Sequence, residues 1–171
     1  ENVDTPGVTV DDNVSTISSL GSNQFQASYE LLGTEPEGEI NSIESSAIDY
    51  LGNSGIYEGA IIGEGATNVK YDRTIPILNQ VTIASSNEHT QWAKVGDRVT
   101  INIIGSEVLL SKEATIQAQT ATVSNITTTE SNLFYDFLDT DTEGPVAFAI
   151  IFSDSAGNEG VQVDNTTDGS W

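Results

Sequence analysis

Cysteine is absent from the 171-residue sequence, and histidine occurs only once. The lack of cysteine excludes disulfide bonds, metal sites with thiolate ligands and catalysis by a thiol. A secreted protein without disulfides must obtain its rigidity elsewhere, and bound ions are one source. No apolar run approaches the roughly 18 residues that a membrane-spanning helix needs, so the sequence predicts no membrane span in this segment.

Basic residues are scarce as well. The chain has 5 Lys and Arg against 26 Asp and Glu, a formal net charge of −21. Nucleic acid is excluded as a partner because its binding requires clustered Lys and Arg. The excess of acid has two compatible explanations: solubility in a salty medium, and binding of Ca²⁺, which prefers carboxylate, amide and backbone oxygens. All five bases lie within residues 70–112.

The sequence contains an internal repeat. The pattern Asp-x-x-Gly-Asn-x-Gly occupies residues 49–55 and again residues 154–160, 105 positions apart. Glu-Gly precedes each copy, at residues 37–38 and 143–144, 106 positions apart. Repetition of this kind is typical of chains built from stacked units. It predicts two units here, residues 1–70 and 71–171.

Alternation of apolar and polar residues predicts strands throughout, and no helical pattern of ten residues or more occurs. The fold class is therefore all-β, with about seven short strands in a full unit. Positions 106 residues before the predicted strands at residues 77–84 and 98–104 would fall before Glu1, so these strands have no counterpart in the sequence. The first unit is thus expected to lack its N-terminal strands and to hold about two-thirds of a repeat.

Six segments resemble the bacterial immunoglobulin-like repeats that are stacked in tandem in large secreted and cell-surface proteins. They are Ile83-Ala-Ser-Ser-Asn, Ala93-Lys-Val-Gly-Asp-Arg-Val-Thr100, Gly105-Ser-Glu107, Asp141-Thr-Glu-Gly144, Phe152-Ser-Asp-Ser-Ala-Gly-Asn158 and Thr167-Asp-Gly-Ser170. The resemblance covers residues 71–171 and, from mid-domain onward, residues 1–70. It implies tandem immunoglobulin-like β-sandwiches and an extracellular, cell-surface role as a spacer, stalk or adhesin segment.

In such a sandwich, the incoming chain and the loops after the second and sixth strands lie at one end. Those positions hold Asp72, Glu107, and Asp154 with Asn158. Oxygen ligands converging on a linker are a Ca²⁺ arrangement, similar to that of cadherin-like tandem domains. The alternative is that Asp154 and Asn158 merely close a hairpin through bonds to the backbone.

Further residues extend this predicted calcium site. The acidic turn of the preceding unit, with Glu35 and Glu37, is expected to face the junction. Glu1, Asp49 and Asn53 form the matching set of the first unit. A Ca²⁺ ion at the junction would stiffen a hinge that otherwise flexes.

The function predicted is a structural or adhesive segment of an extracellular repeat protein or filament, and not an enzyme. Neither a nucleophile elbow nor a phosphate-binding glycine loop occurs. The partners expected are neighbouring repeats or subunits, possible strand exchange included, and cell-surface glycans or proteins. The alternative is an accessory carbohydrate-binding module of a secreted enzyme, in which Trp92, Trp171, Tyr50 and Tyr57 would stack on sugar.

Overall fold

The computed structural model describes residues 3–40, 42–59 and 69–169, and the chain divides into two compact units, Glu1–Arg73 and Thr74–Trp171. Sequence alone placed the boundary between residues 70 and 71. The regular structure of the described residues is entirely β, which confirms the predicted fold class. No described helix is long and apolar enough to traverse a bilayer.

Eight strands belong to the first unit. They are β1 (Gly7–Val10), β2 (Asn13–Val14), β3 (Thr16–Gly21), β4 (Gln24–Ser28), β5 (Gly38–Glu39), β6 (Ile43–Ile48), β7 (Ser54–Gly59) and β8 (Lys70–Tyr71). One sheet has the order β2-β1-β6-β7, while β3 pairs with β4 and β5 pairs with β8. All of these pairs are antiparallel.

Seven strands belong to the second unit. They are β9 (Leu78–Ser85), β10 (Arg98–Gly105), β11 (Leu109–Ile116), β12 (Gln119–Thr120), β13 (Thr122–Asn125), β14 (Glu130–Asp136) and β15 (Phe148–Asp154). They form two sheets, β13-β14-β10-β9 and β12-β11-β15. The chain that follows β15 forms isolated bridges with it, which join Val163 to Ile150 and Glu159 to Ser153.

The core of the second unit lies between its two sheets. On β10 every second side chain is buried, namely Val99, Ile101 and Ile103, as the period of a half-buried strand requires. The facing sheet contributes buried side chains such as Ile116 and Ile150. Apolar faces from two antiparallel sheets thus enclose one core, which is the arrangement of a β-sandwich.

The strands β1 to β4 and β6 of the first unit pair with one another in the same register as their counterparts in the second unit. Shifting β1 to β4 by 106 positions superimposes them on β11 to β14, and shifting β6 by 105 positions places it on β15. Corresponding cross-strand pairs are Thr9–Val14 and Thr115–Thr120, Thr16–Ser28 and Thr122–Phe134, and Val3–Asp49 and Leu109–Asp154. The sequence repeat is therefore also a repeat of hydrogen-bonding pattern.

The described part of the first unit differs from the second unit in two ways: it has no counterpart of two strands and no buried apolar core. None of its described strands corresponds to β9 or β10. Among its described residues only Ser15 and Glu35 are buried, and neither is apolar. The second unit, by contrast, buries eleven apolar side chains in one cluster. The first unit therefore has the strands of one whole sheet and half of another, without the core that the missing strands would close.

Glycine at two equivalent positions gives a direct test of this difference. A Cβ on Gly160 would overlap three ring atoms of Phe152, whereas a Cβ on Gly55 meets nothing within 4 Å. We expect Gly160→Ala to lower the free energy of unfolding by about 1–3 kcal/mol through overpacking. Gly55→Ala is the matched control, and urea denaturation should leave its midpoint almost unchanged. Equal losses in the two variants would contradict the difference in packing.

Candidate cation site

Asp154 ends β15 and is 1% exposed. Its Oδ1 accepts hydrogen bonds from the backbone amides of Ala156 (2.8 Å) and Asn158 (2.9 Å). Its Oδ2 accepts one from Asn158 Nδ2, at 2.8 Å. Backbone bonds between Asp154 and Asn158 close the same turn. The contacts of both residues thus match the hairpin-closing alternative considered from sequence.

Asp49 and Asn53 repeat this turn in the first unit. Asp49 Oδ1 accepts from the backbone amides of Leu51 (2.9 Å) and Asn53 (2.8 Å), and Oδ2 accepts from Asn53 Nδ2 at 2.8 Å. The spacing Asp-x-x-x-Asn therefore dictates one local structure in both units, since Asp and Asn side chains bond readily to nearby backbone groups.

The two aspartates differ in burial but not in charge state. Burial of Asp154 raises its pKa, but bonds from the Asn158 side chain and from the amides of the turn outweigh burial, so that the pKa lies below its ordinary value of 3.8. Asp49 also has a lowered pKa, chiefly through the Asn53 side chain. Both carboxylates are ionised at neutral pH. Each keeps lone pairs beyond the three bonds that it accepts.

Glu107 approaches Asp154 within the second unit. One carboxylate oxygen of Glu107 lies within 4.8 Å of one carboxylate oxygen of Asp154. The loop that carries Glu107 is held tightly: a Cβ on Gly105 would come within 2.9 Å of the Glu107 carbonyl oxygen. Two acids at this separation, one of them fully buried, are a pair that a divalent cation could bridge.

The other predicted ligands belong to the first unit. Asp72 is half-buried, and its Oδ2 lies 3.4 Å from Lys70 Nζ. Glu37 Oε1 accepts a hydrogen bond from the Arg73 backbone amide at 2.9 Å and lies 3.7 Å from Arg73 Nε. Glu1, the predicted counterpart of Glu107, lies outside the described residues.

Glu35 has a structural role that the sequence reasoning missed. Its carboxylate accepts hydrogen bonds from the Tyr29 hydroxyl and from the amides of Leu32, Gly33 and Thr34. These bonds, the one from Tyr29 foremost, lower the pKa of Glu35 to about 2. The carboxylate therefore organises its own turn.

The second unit has a similar hydrogen bond from a tyrosine hydroxyl to an acidic side chain, with Asp in place of Glu. Tyr135 donates its hydroxyl hydrogen to Asp141 Oδ1 at 3.2 Å, and Asp141 Oδ2 accepts from the Leu138 amide at 2.8 Å. Tyr29 and Tyr135 are 106 positions apart, and an acid follows each by six residues. This repeated spacing was the sequence signal from which the two tyrosine–carboxylate hydrogen bonds could have been predicted.

Three large aromatic side chains of the described residues are exposed, and each belongs to a different element. Tyr50 lies in a hairpin turn, Tyr57 on β7, and Trp92 in the loop between β9 and β10. Trp171 lies outside the described residues. A sugar-stacking surface needs several coplanar rings on one face, and no single described strand supplies two of these residues. His89 is exposed in the same loop as Trp92.

No protein-family model, curated protein or solved structure matches this chain.

Proposed function

We propose that the chain is a spacer or stalk segment of an extracellular protein built from immunoglobulin-like repeats, with Ca²⁺ held where one repeat meets the next. The observation that supports it best is the strand order of the second unit. An immunoglobulin sandwich places its first, second, fifth and fourth main strands in one sheet and its third, sixth and seventh in the other.

The second unit follows that order when its strands are taken along the chain. The sheet β9-β10-β14-β13 corresponds to the first four of these strands. The other sheet contains β11 and β15, with the bridged segment around Val163 in the place of the seventh strand and β12 as an added short strand. The first unit repeats the third to sixth strands in the same register. Repetition of the strand pattern supports a mechanical role.

The proposed calcium site begins with Glu107 and Asp154. Ser106, next to Glu107, donates its backbone amide to the Ile77 carbonyl at 2.8 Å, so the chain enters the second unit beside this loop. Asp72 precedes Ile77 by five residues in the sequence. We propose it as a third ligand that ties the linker to the pair, with the Asn158 side chain and the carboxylate of Glu37 as further oxygen donors.

Calorimetric titration of the full chain with CaCl₂ tests the site. We expect saturable binding with a dissociation constant of about 10⁻⁴–10⁻³ M, as in other extracellular modules. Glu107→Gln and Asp72→Asn should each weaken it about tenfold or more, because each removes a charged ligand. Glu113→Gln, an exposed acid on β11, is the matched control and should bind as the parent does.

Small-angle scattering of the same samples tests the mechanical role. The maximum dimension should increase and the particle should stiffen in CaCl₂ relative to EGTA. A calorimetric titration that showed no saturable heat of Ca²⁺ binding would refute the calcium part of the proposal. A chain that bound soluble glycans, with loss of binding in Trp92→Ala, would instead favour the carbohydrate-binding module.

A further inference from the structure

The sequence contains three copies of Asn-x-Ser/Thr, the acceptor sequence for N-linked glycosylation. They are Asn13-Val-Ser15, Asn125-Ile-Thr127 and Asn165-Thr-Thr167. So short a motif also occurs by chance, and its use depends on where the fold places it. The reaction requires the side-chain nitrogen of the Asn and recognises the hydroxyl two residues later. The surroundings of these two groups differ among the three copies.

The copy that begins at Asn13 is engaged within the fold. Asn13 is half-buried, and its Nδ2 donates a hydrogen bond to the Asp11 carbonyl at 2.8 Å. Ser15, which supplies the hydroxyl, is only 7% exposed. A transferase could reach this hydroxyl only after the chain between β2 and β3 had opened.

The copy that begins at Asn165 is also engaged. Asn165 Nδ2 donates to the Asp164 carboxylate. Thr167 Oγ1 accepts a hydrogen bond from the Val81 backbone amide at 3.0 Å and donates one to the Val81 carbonyl at 3.2 Å. Both the nitrogen and the hydroxyl hydrogen of this copy therefore already have acceptors in the protein.

The copy that begins at Asn125 has both groups available. Asn125 ends β13, is exposed, and accepts a hydrogen bond at Oδ1 from the buried Ser131 hydroxyl at 2.9 Å. No described residue accepts a hydrogen bond from its Nδ2. Thr127 is exposed in the loop that follows, and its Oγ1 accepts from the amides of Thr129 (3.3 Å) and Glu130 (3.0 Å). Accepting these bonds leaves the hydroxyl hydrogen of Thr127 to be donated elsewhere.

Asn125 also lies on an open strand edge within the described sheet. The strand β13 is outermost in its sheet, and β14 is its only described partner. Ile126 donates its amide to the Glu130 carbonyl at 2.9 Å, so the alternation of an antiparallel pair directs the backbone groups of Val123 and Asn125 away from β14. The strand has no Lys or Pro, the residues that commonly protect such an edge from pairing with other chains.

We propose that Asn125 is the N-glycosylation acceptor of the folded chain and that its saccharide covers the open edge of β13. The substrate class is an oligosaccharide carried on a lipid pyrophosphate. The bond from Asn125 Nδ2 to the anomeric carbon forms as the bond from that carbon to the phosphate oxygen breaks. The lipid pyrophosphate leaves with the bonding pair, and one amide proton passes to a base of the transferase. The inference rests on the proposed function, because such saccharides are transferred to proteins exported from the cytosol.

Incubation of the folded full chain with a single-subunit oligosaccharyltransferase and lipid-pyrophosphate-linked oligosaccharide tests the acceptor site. Intact mass should show one added saccharide, and peptide mapping should place it at Asn125, about tenfold or more faster than at Asn13 or Asn165. Short synthetic peptides, each with one of the three sequences, are the unfolded controls and should differ in rate by no more than about threefold.

Substitutions within the loop separate the motif from its surroundings. Asn125→Gln and Thr127→Val should each abolish the modification. Thr127→Ser keeps the hydroxyl and should be modified as the parent chain is. Thr128→Val, at the exposed neighbouring threonine outside the motif, is the matched control and should also be modified. Hydrogen exchange in β14 reports whether each variant is folded.

Aggregation tests the role of the saccharide at the edge. Near the isoelectric point of about pH 4.1, repulsion by net charge is lost. There the glycosylated chain should aggregate about fivefold more slowly than Asn125→Gln taken through the same incubation, because the saccharide obstructs pairing at β13. Equal aggregation rates would overturn the edge-covering part of the inference.

Three results would overturn the acceptor site itself. They are preferential modification of Asn13 or Asn165 in the folded chain, an unmodified folded chain whose Asn125 peptide is modified, and an Asn125 peptide that is not modified. Calcium titration uses the unmodified chain, so each of these results leaves the spacer proposal standing. Conversely, modification at Asn125 without saturable calcium binding would refute only the calcium part of that proposal.

Discussion

Ile101→Ala is expected to lower the free energy of unfolding of the second unit by about 2–5 kcal/mol. Ile101 lies at the centre of β10, is 0% exposed and packs between the two sheets. Its truncation removes buried apolar atoms and leaves a cavity that rigid strands on both sides cannot fill. Because a domain of this size is typically stable by only about 5–15 kcal/mol, the variant should unfold at a much lower urea concentration.

Ile151→Ala is the control for this prediction. Ile151 is on β15 within the same unit, but its side chain is 50% exposed and faces away from the core. The substitution should change the free energy of unfolding by no more than about 0.5 kcal/mol, the range usual for surface substitutions. Hydrogen exchange in the strands β9 to β15 can follow the second unit separately. Similar losses for the two isoleucines would mean that the sandwich core is not where the structure places it.

Asp154→Ala is expected to destabilise the second unit by about 2–3 kcal/mol, since it leaves the donors of a buried turn without their charged acceptor. Thermal unfolding of the chain in EGTA measures this loss without a contribution from calcium. Asp49→Ala removes the same bonds from the first unit and should leave unfolding of the second unit unchanged. A second unit that tolerated Asp154→Ala would show that the turn does not need its acid.

The sign of the pH dependence follows from the lowered pKa. The Asp154 carboxylate is stabilised in its charged form, so its contribution is fully present above the ordinary value of 3.8 and is lost as the pH falls through the lower folded value. The difference in stability between the parent chain and Asp154→Asn should therefore shrink on acidification below about pH 4. A difference that grew under acid would contradict this assignment.

Much of the fold could be predicted because the pattern of residues follows the strands. Alternation at Val99, Ile101 and Ile103 predicted β10, and the repeat predicted that the first unit would have no counterpart of it. The strand β11 has a weaker sequence signal, because Ser111, Lys112 and Glu113 interrupt the apolar alternation. The structure accommodates Lys112 by letting its Nζ donate to the Leu109 carbonyl at 2.7 Å.

The candidate site was predictable only in part. The turn formed by Asp154 and Asn158 follows from local spacing, which acts over four residues. The approach of Glu107 to Asp154 depends on the order of strands, and it could be anticipated only through the resemblance to a known fold. The hydrogen bond from Tyr29 to Glu35 was missed because acidic residues are so frequent in this chain that the position of any one of them indicates little. Paired strands of two residues, β5 and β8, are too short to show any period.

The distribution of charge along the chain also bears on how it behaves in concentrated solution. Each copy carries a net charge of −21, and all five of its bases lie within residues 70–112. Like charges slow most encounters between copies, whereas an encounter between this basic stretch and an acidic surface of another copy is favoured, and added salt reduces both effects. Colloidal stability and oriented encounters between copies would then both result from one distribution of charge.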